Sequence, residues 1–128
     1  MFWRKDFGAF VKEQVSRIYQ DKLISLYLYG IATEKERKKG VSKPNILIVL
    51  DFYNVKDLEE HFKLQKKLVW KYFQKKAGEV KIFTKQELEN SLDVFPIEFL
   101  EIKESRQLLA GKDILNNYDI SPKNLRHE

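Results

Sequence analysis

Two nearly continuous apolar runs, Leu23–Tyr29 and Asn45–Asp51, constrain this chain more than any other feature. Both are rich in Ile, Leu, Val and Tyr and too short for a typical helix, so each reads as a buried strand. The second shows almost no polar alternation, which is the pattern of a central strand covered on both faces. Gly30 ends the first run. The polar stretch 31–44, which contains Gly40 and Pro44, is expected to be a loop. Strands joined by a loop rather than a helix are expected to be antiparallel neighbours.

The rest of the chain supplies helices for such a sheet. Phe7, Phe10, Val11, Val15, Ile18 and Tyr19 recur at helical spacing, which predicts an amphipathic helix from about Asp6 to Gln20. Asn54 is a suitable N-cap, with Asp57 in the favourable first turn. The helix it opens is expected to bury Leu58, Phe62, Leu68, Val69, Tyr72 and Phe73 and to stop at Gly78. Val80–Phe83 reads as a short strand, placed parallel to Asn45–Asp51 through a right-handed crossover. Thr84 and Glu87 have capping-box spacing and predict a short helix through Leu92. Ile97–Ile102 reads as a half-exposed edge strand, and Ser105–Ala110 as a further helical turn or two. The fold class is therefore α/β (α+β), a mixed sheet of about four strands with helices packed on it. Leu47, Val49 and Phe62 are expected in the core.

Composition narrows the function classes. The 128 residues are 43% hydrophobic and 34% charged, ordinary for one globular domain over residues 1–128 and too apolar for disorder. No apolar run approaches the ~20 residues of a membrane helix. Charges occupy the N-terminal segment where an export signal would be apolar, so the expected location is cytoplasmic, with no membrane partner. The absence of cysteine removes disulfides, thiolate metal sites and cysteine nucleophiles. A net charge of +5, from 24 basic and 19 acidic residues, permits anion binding without requiring it.

The layout of Leu26–Gly30, a polar loop and Asn45–Asp51 resembles the nucleotidyltransferase superfamily, the DNA polymerase β-like or minimal nucleotidyltransferase fold. The resemblance covers roughly Leu23 to Phe83. Ser91–Lys103 is also similar to a segment found in an uncharacterised group of nucleotidyltransferase-like proteins. The family pattern is a strand ending in Gly-Ser, then Asp-x-Asp opening the next strand. The resemblance implies a site at the Gly30 edge of the sheet. Here Ile31 stands at the serine position, Lys43 and Asn45 at the two metal-binding carboxylates, and Lys81 at the third.

Those departures argue against the family's usual reaction. Its two Mg²⁺ ions are held by three carboxylates and clamp the attacking and leaving oxygens. Asn45 offers one neutral carbonyl oxygen. A lysine ammonium a few Å from a divalent ion costs several kcal/mol even at an effective dielectric of ~20. Lys43 and Lys81 are instead suited to holding a phosphate directly, and Gly30 permits close backbone approach. The candidate ligand-binding residues are thus Gly30, Ile31, Lys43, Asn45 and Lys81. No catalytic residue, metal ligand or cofactor is expected; Mg²⁺ enters only in the alternative of an active enzyme with differently placed carboxylates.

Other motifs carry less. The charged run Glu34–Lys39 and the lysines at 63, 66, 67, 71, 75 and 76, with Trp70 and Tyr72 nearby, could track phosphates or simply face solvent. His61 and His127 lack metal-ligand spacing. Glu98 and Glu101, placed on a strand, would point to opposite faces. Ser121 and Pro122 form a helix-start signal with little chain behind it, as expected of a truncated or partner-completed helix, which suggests an apolar surface involving Phe2, Trp3 and Leu125 that a helical partner, a second copy or a missing C-terminal region would cover. The residues leave three readings: a non-catalytic module binding a nucleotide, nucleic acid or protein partner; an active nucleotidyltransferase; or a small interaction domain.

Overall fold

A computed structural model describes residues 2–30, 45–71 and 80–120, with side chains at 7–30, 45–67 and 80–120. Residues 31–44, expected from the sequence to form a loop and including Ile31 and Lys43, lie outside the described residues. So do Tyr72, Phe73, Gly78 and residues 121–128, and the side chains of Phe2, Trp3 and Leu68–Lys71.

Helix α1 spans Phe2–Tyr19, and a 3₁₀ turn at Gln20–Lys22 leads into strand β1, Leu23–Tyr29. Strand β2 is Asn45–Leu50, helix α2 Val55–Lys71, strand β3 Val80–Thr84 and helix α3 Lys85–Val94. Helix α4 is Pro96–Ser105, strand β4 Gln107–Gly111, and a final 3₁₀ turn covers Ile114–Asn117. The sheet order is β3-β2-β1-β4; β1 runs antiparallel to both neighbours, and β2 and β3 are parallel. This is the expected mixed four-stranded α+β architecture. No described helix is long and apolar enough to cross a membrane.

Strand parity builds two cores. Leu26, Leu28, Ile46, Ile48 and Leu50 point to one face, where α1 lays down Phe7, Val11, Val15 and Tyr19 and α2 adds Leu64. Tyr27, Tyr29, Leu47 and Val49 point to the other and meet Leu88 of α3, Phe99 and Ile102 of α4, and Leu115. Covering both faces explains why β1 and β2 read as continuous apolar runs.

The caps are the ones the sequence signals. Asn54 Oδ1 accepts from the Asp57 N–H and Asp57 Oδ2 from the Asn54 N–H, each at 3.0 Å. Thr84 and Glu87 form a full capping box at the start of α3.

Three expectations fail. Phe62 is 60% exposed; the inward positions of α2 are instead Asp57, His61 and Leu64. Ile97–Ile102 is helix α4, not an edge strand: Pro96 occupies its first turn, and Pro96, Phe99 and Ile102 are buried at helical spacing. The edge strand is β4, so Ser105–Ala110 is not helical beyond Ser105. Its last residue, Gly111, has φ +80°, and a Cβ there would collide with the Ile24 carbonyl oxygen.

Candidate functional site

Four strand ends converge at one edge of the sheet. Tyr29 pairs with Asn45, Leu28 with Gln107, and Ile46 and Leu47 with Val80 and Lys81. The register therefore brings Gly30, Asn45 and Lys81 together, as the sequence layout implies.

Gly30 adopts φ +66°, and a Cβ there would stand 2.5 Å from Asn45 Nδ2. Glycine is required both for the left-handed conformation and for the space the amide fills. The Gly30 N–H donates to Ser105 Oγ at 2.9 Å, and the Ser105 hydroxyl donates to the Glu101 carbonyl at 2.9 Å. Thus the last turn of α4 pins the end of β1. Lys81 Nζ lies 3.0 Å from Glu98 Oε1, with Lys81 largely shielded and Glu98 about half exposed. Because 98–101 is helical, Glu98 and Glu101 lie one turn apart on α4 rather than on opposite faces of a strand. Glu98 is directed to Lys81.

Among the described residues of the pattern at this edge, Asn45 and Lys81 are not carboxylates. The described side chains there are an amide, a lysine ammonium and a carboxylate paired to that ammonium, whereas divalent ions favour several carboxylate oxygens. Among the described residues, no group of three or more His, Cys, Asp or Glu side chains could hold a metal ion.

Beneath the edge, a polar knot fixes the junction of α4 and β4 to β1. Arg106 grips Asp113 through both oxygens, Nε to Oδ1 at 2.9 Å and Nη2 to Oδ2 at 3.0 Å. Tyr27 donates its hydroxyl to Asp113 Oδ1 at 2.8 Å and accepts the Leu115 N–H at 3.1 Å. Hydrogen bonding from Arg106 holds the Asp113 carboxyl below its usual range against the opposing effect of burial. Burial, reinforced by Asp113, pushes the Tyr27 phenol up to about 12.

Two of the three described lysines of the stripe on α2 are engaged. Lys63 Nζ lies 3.4 Å from Glu60 Oε1, and Lys67 Nζ donates to Gln14 Oε1 at 3.1 Å. Ser105 and Glu98 were not legible as site residues. Pro96 at a helix start was the signal that could have placed both on α4.

A second surface lies at the corner between α3 and α4. Val94, Phe95 and Ile97 are 64%, 55% and 61% exposed. A hollow of about 340 Å³, lined by Glu89, Leu92, Asp93, Pro96, Tyr118 and Asp119 among others, adjoins their segment.

No family model and no curated protein matches this chain. Among solved structures, a chain in the crystal structure of the toxin–antitoxin MntA–HpeT mutant is similar, with a TM-score of 0.50 and 15% identity over 94% of this chain and 84% of that one. At that identity the likeness concerns the fold alone, and it supports a nucleotidyltransferase-like fold.

Proposed function

We propose that this chain is a nucleotidyltransferase-like domain that does not transfer nucleotides and acts by binding a helical protein partner. The observation that carries the first half is the Lys81–Glu98 ion pair at the Gly30 edge. It puts a cation where the resemblance implies a metal-binding carboxylate, and it occupies the carboxylate that α4 brings there. Asn45, in the place of another such carboxylate, packs its amide against Gly30.

The partner reading rests on the corner between α3 and α4. Three large apolar side chains within four residues stand out from the surface beside a hollow with Glu89, Asp93 and Asp119 in its lining. Such a rim suits an amphipathic helix with an aliphatic face and basic flanks. The similar structure is of a toxin–antitoxin pair, which is in keeping with a protein partner.

Both halves are testable. Incubation with labelled nucleoside triphosphates and Mg²⁺ or Mn²⁺ should give no time-dependent label on protein, RNA or small molecules. Transfer that disappears in Asn45→Ala would overturn the non-catalytic reading. A synthetic helix with leucine on one face and lysine on the other should bind saturably, and the double variant Phe95→Ser, Ile97→Ser should lose that binding. Equal binding by the parent and the double variant would refute the docking surface.

A further inference from the structure

Helices α1 and α2 border a hollow of about 350 Å³, within the range of small-molecule sites. It shares no lining residue with the Gly30 edge or with the corner between α3 and α4. Gln14, Arg17 and Ile18 line it from α1, and Glu60, Lys63 and Lys67 are among those that line it from α2. The three- and four-residue spacings put each set on one face of its helix.

The charge balance of this hollow is the first observation. Its carboxylate, Glu60, lies 3.4 Å from Lys63 Nζ and offsets that ammonium. Among the described residues, no carboxylate is paired with Arg17 or Lys67. Two cations are therefore left without a counter-charge.

The second observation is how those two cations are held. Arg17 Nη2 donates to Gln14 Oε1 at 2.6 Å, and Lys67 Nζ donates to the same oxygen at 3.1 Å. Gln14 is only 6% exposed, so its amide is a buried anchor at the base of the hollow. An amide oxygen accepts hydrogen bonds but carries no net charge, so it draws the two cations together without neutralising them. Like charges gathered in this way repel each other, and an anion beside them removes that cost. A guanidinium and an ammonium each carry more N–H donors than the one that Gln14 accepts.

We propose that this hollow binds the terminal phosphate of a small compound, with Arg17 and Lys67 as its cationic ligands and Gln14 as the residue that positions both. A terminal phosphate carries close to two negative charges, which matches the two cations. A carboxylate or a backbone phosphodiester carries one. The Arg17 fork suits two phosphate oxygens, and Lys67 meets a third as a point charge. Glu60 and Lys63 remain beside it as a neutral pair.

Calorimetric titration of the chain with inorganic pyrophosphate, in a buffer free of phosphate and sulfate, tests this. An oligothymidylate with hydroxyl ends serves as the phosphodiester contrast. Pyrophosphate is expected to bind saturably at one site and more tightly than the oligothymidylate. Arg17→Gln and Lys67→Gln should each lower its affinity about tenfold or more, as loss of a charge-assisted hydrogen bond does. Lys85→Gln makes the same charge change on α3, across the sheet, and should leave the affinity within about twofold, since distant surface charges are screened. Gln14→Glu supplies an internal counter-charge and should abolish binding while a thermal melt remains cooperative. Absence of saturable pyrophosphate binding, tighter binding of the oligothymidylate, equal losses in Arg17→Gln and Lys85→Gln, or full binding by a folded Gln14→Glu protein would overturn the proposal.

Discussion

Replacing Tyr27 by Phe removes one oxygen atom from a fully buried position. That oxygen donates to the Asp113 carboxylate at 2.8 Å and accepts the buried Leu115 N–H at 3.1 Å. A hydrogen bond to a charged group contributes about 1.5–3 kcal/mol, and a buried N–H left without an acceptor costs about 1–3 kcal/mol. Asp113 keeps its two-point contact with Arg106, which offsets part of the loss. The net cost is roughly 2–4 kcal/mol, or roughly 8–16 °C in Tm for a domain of this size. The same substitution at Tyr19 should act in the opposite direction. Tyr19 is equally buried, but its hydroxyl has no partner, so Tyr19→Phe should be neutral or stabilising by about 1 kcal/mol. Urea unfolding followed by circular dichroism measures both. A Tyr27→Phe variant within about 0.5 kcal/mol of the parent, or a Tyr19→Phe variant more damaged than Tyr27→Phe, would refute the assignment of these two hydroxyls.

Three other perturbations follow from backbone geometry and from burial. Gly111→Ala should cost roughly 1–3 kcal/mol or more, since φ is +80° and the new Cβ meets the Ile24 carbonyl. Gly8→Ala in α1, where the nearest atom is Leu109 Cδ2 at 3.5 Å, should stabilise by roughly 0.5–1 kcal/mol; thermal melts showing the reverse order would contradict this. Burial holds the His61 imidazole below its ordinary range. The folded protein therefore binds fewer protons than the unfolded chain just below the unfolded pKa of about 6.5. The stability from neutral burial is complete above that pH and is lost as pH falls through the folded pKa. His61→Leu should lose less stability than the parent between about pH 8 and pH 5.5, and equal losses would refute the assignment.

The sequence and the structure agree where residue type and spacing act locally. The doubly covered strands, the two caps and the meeting of Gly30 with Asn45 were all legible, because parity and N-cap chemistry are short-range. The exchange of strand and helix between Ile97 and Ala110 has a physical cause. Ile97 and Phe99 alternate with Glu98 in a strand-like way, yet Pro96 in the first helical turn and Phe99 and Ile102 three apart suit a helix. That error hid Glu98 and Ser105, which reach the Gly30 edge only when carried on α4. Phe62 was misplaced for a different reason. The inner positions of α2 include the polar Asp57 and His61, which apolar periodicity does not find. Asp57 faces inward to cap the helix and to hold Lys22.

In the proposed reading the Gly30 edge carries the Lys81–Glu98 pair and Asn45 where an active nucleotidyltransferase would carry metal-binding carboxylates. Paramagnetic broadening of backbone amide signals by Mn²⁺ tests it most directly, because it locates a bound ion without requiring turnover. No selective loss of the Gly30, Asn45, Lys81 and Ser105 signals is expected as Mn²⁺ is added, with or without a nucleoside triphosphate. Selective, saturable broadening of those signals, reversed by excess Mg²⁺, would show a metal centre at this edge and overturn the non-catalytic reading.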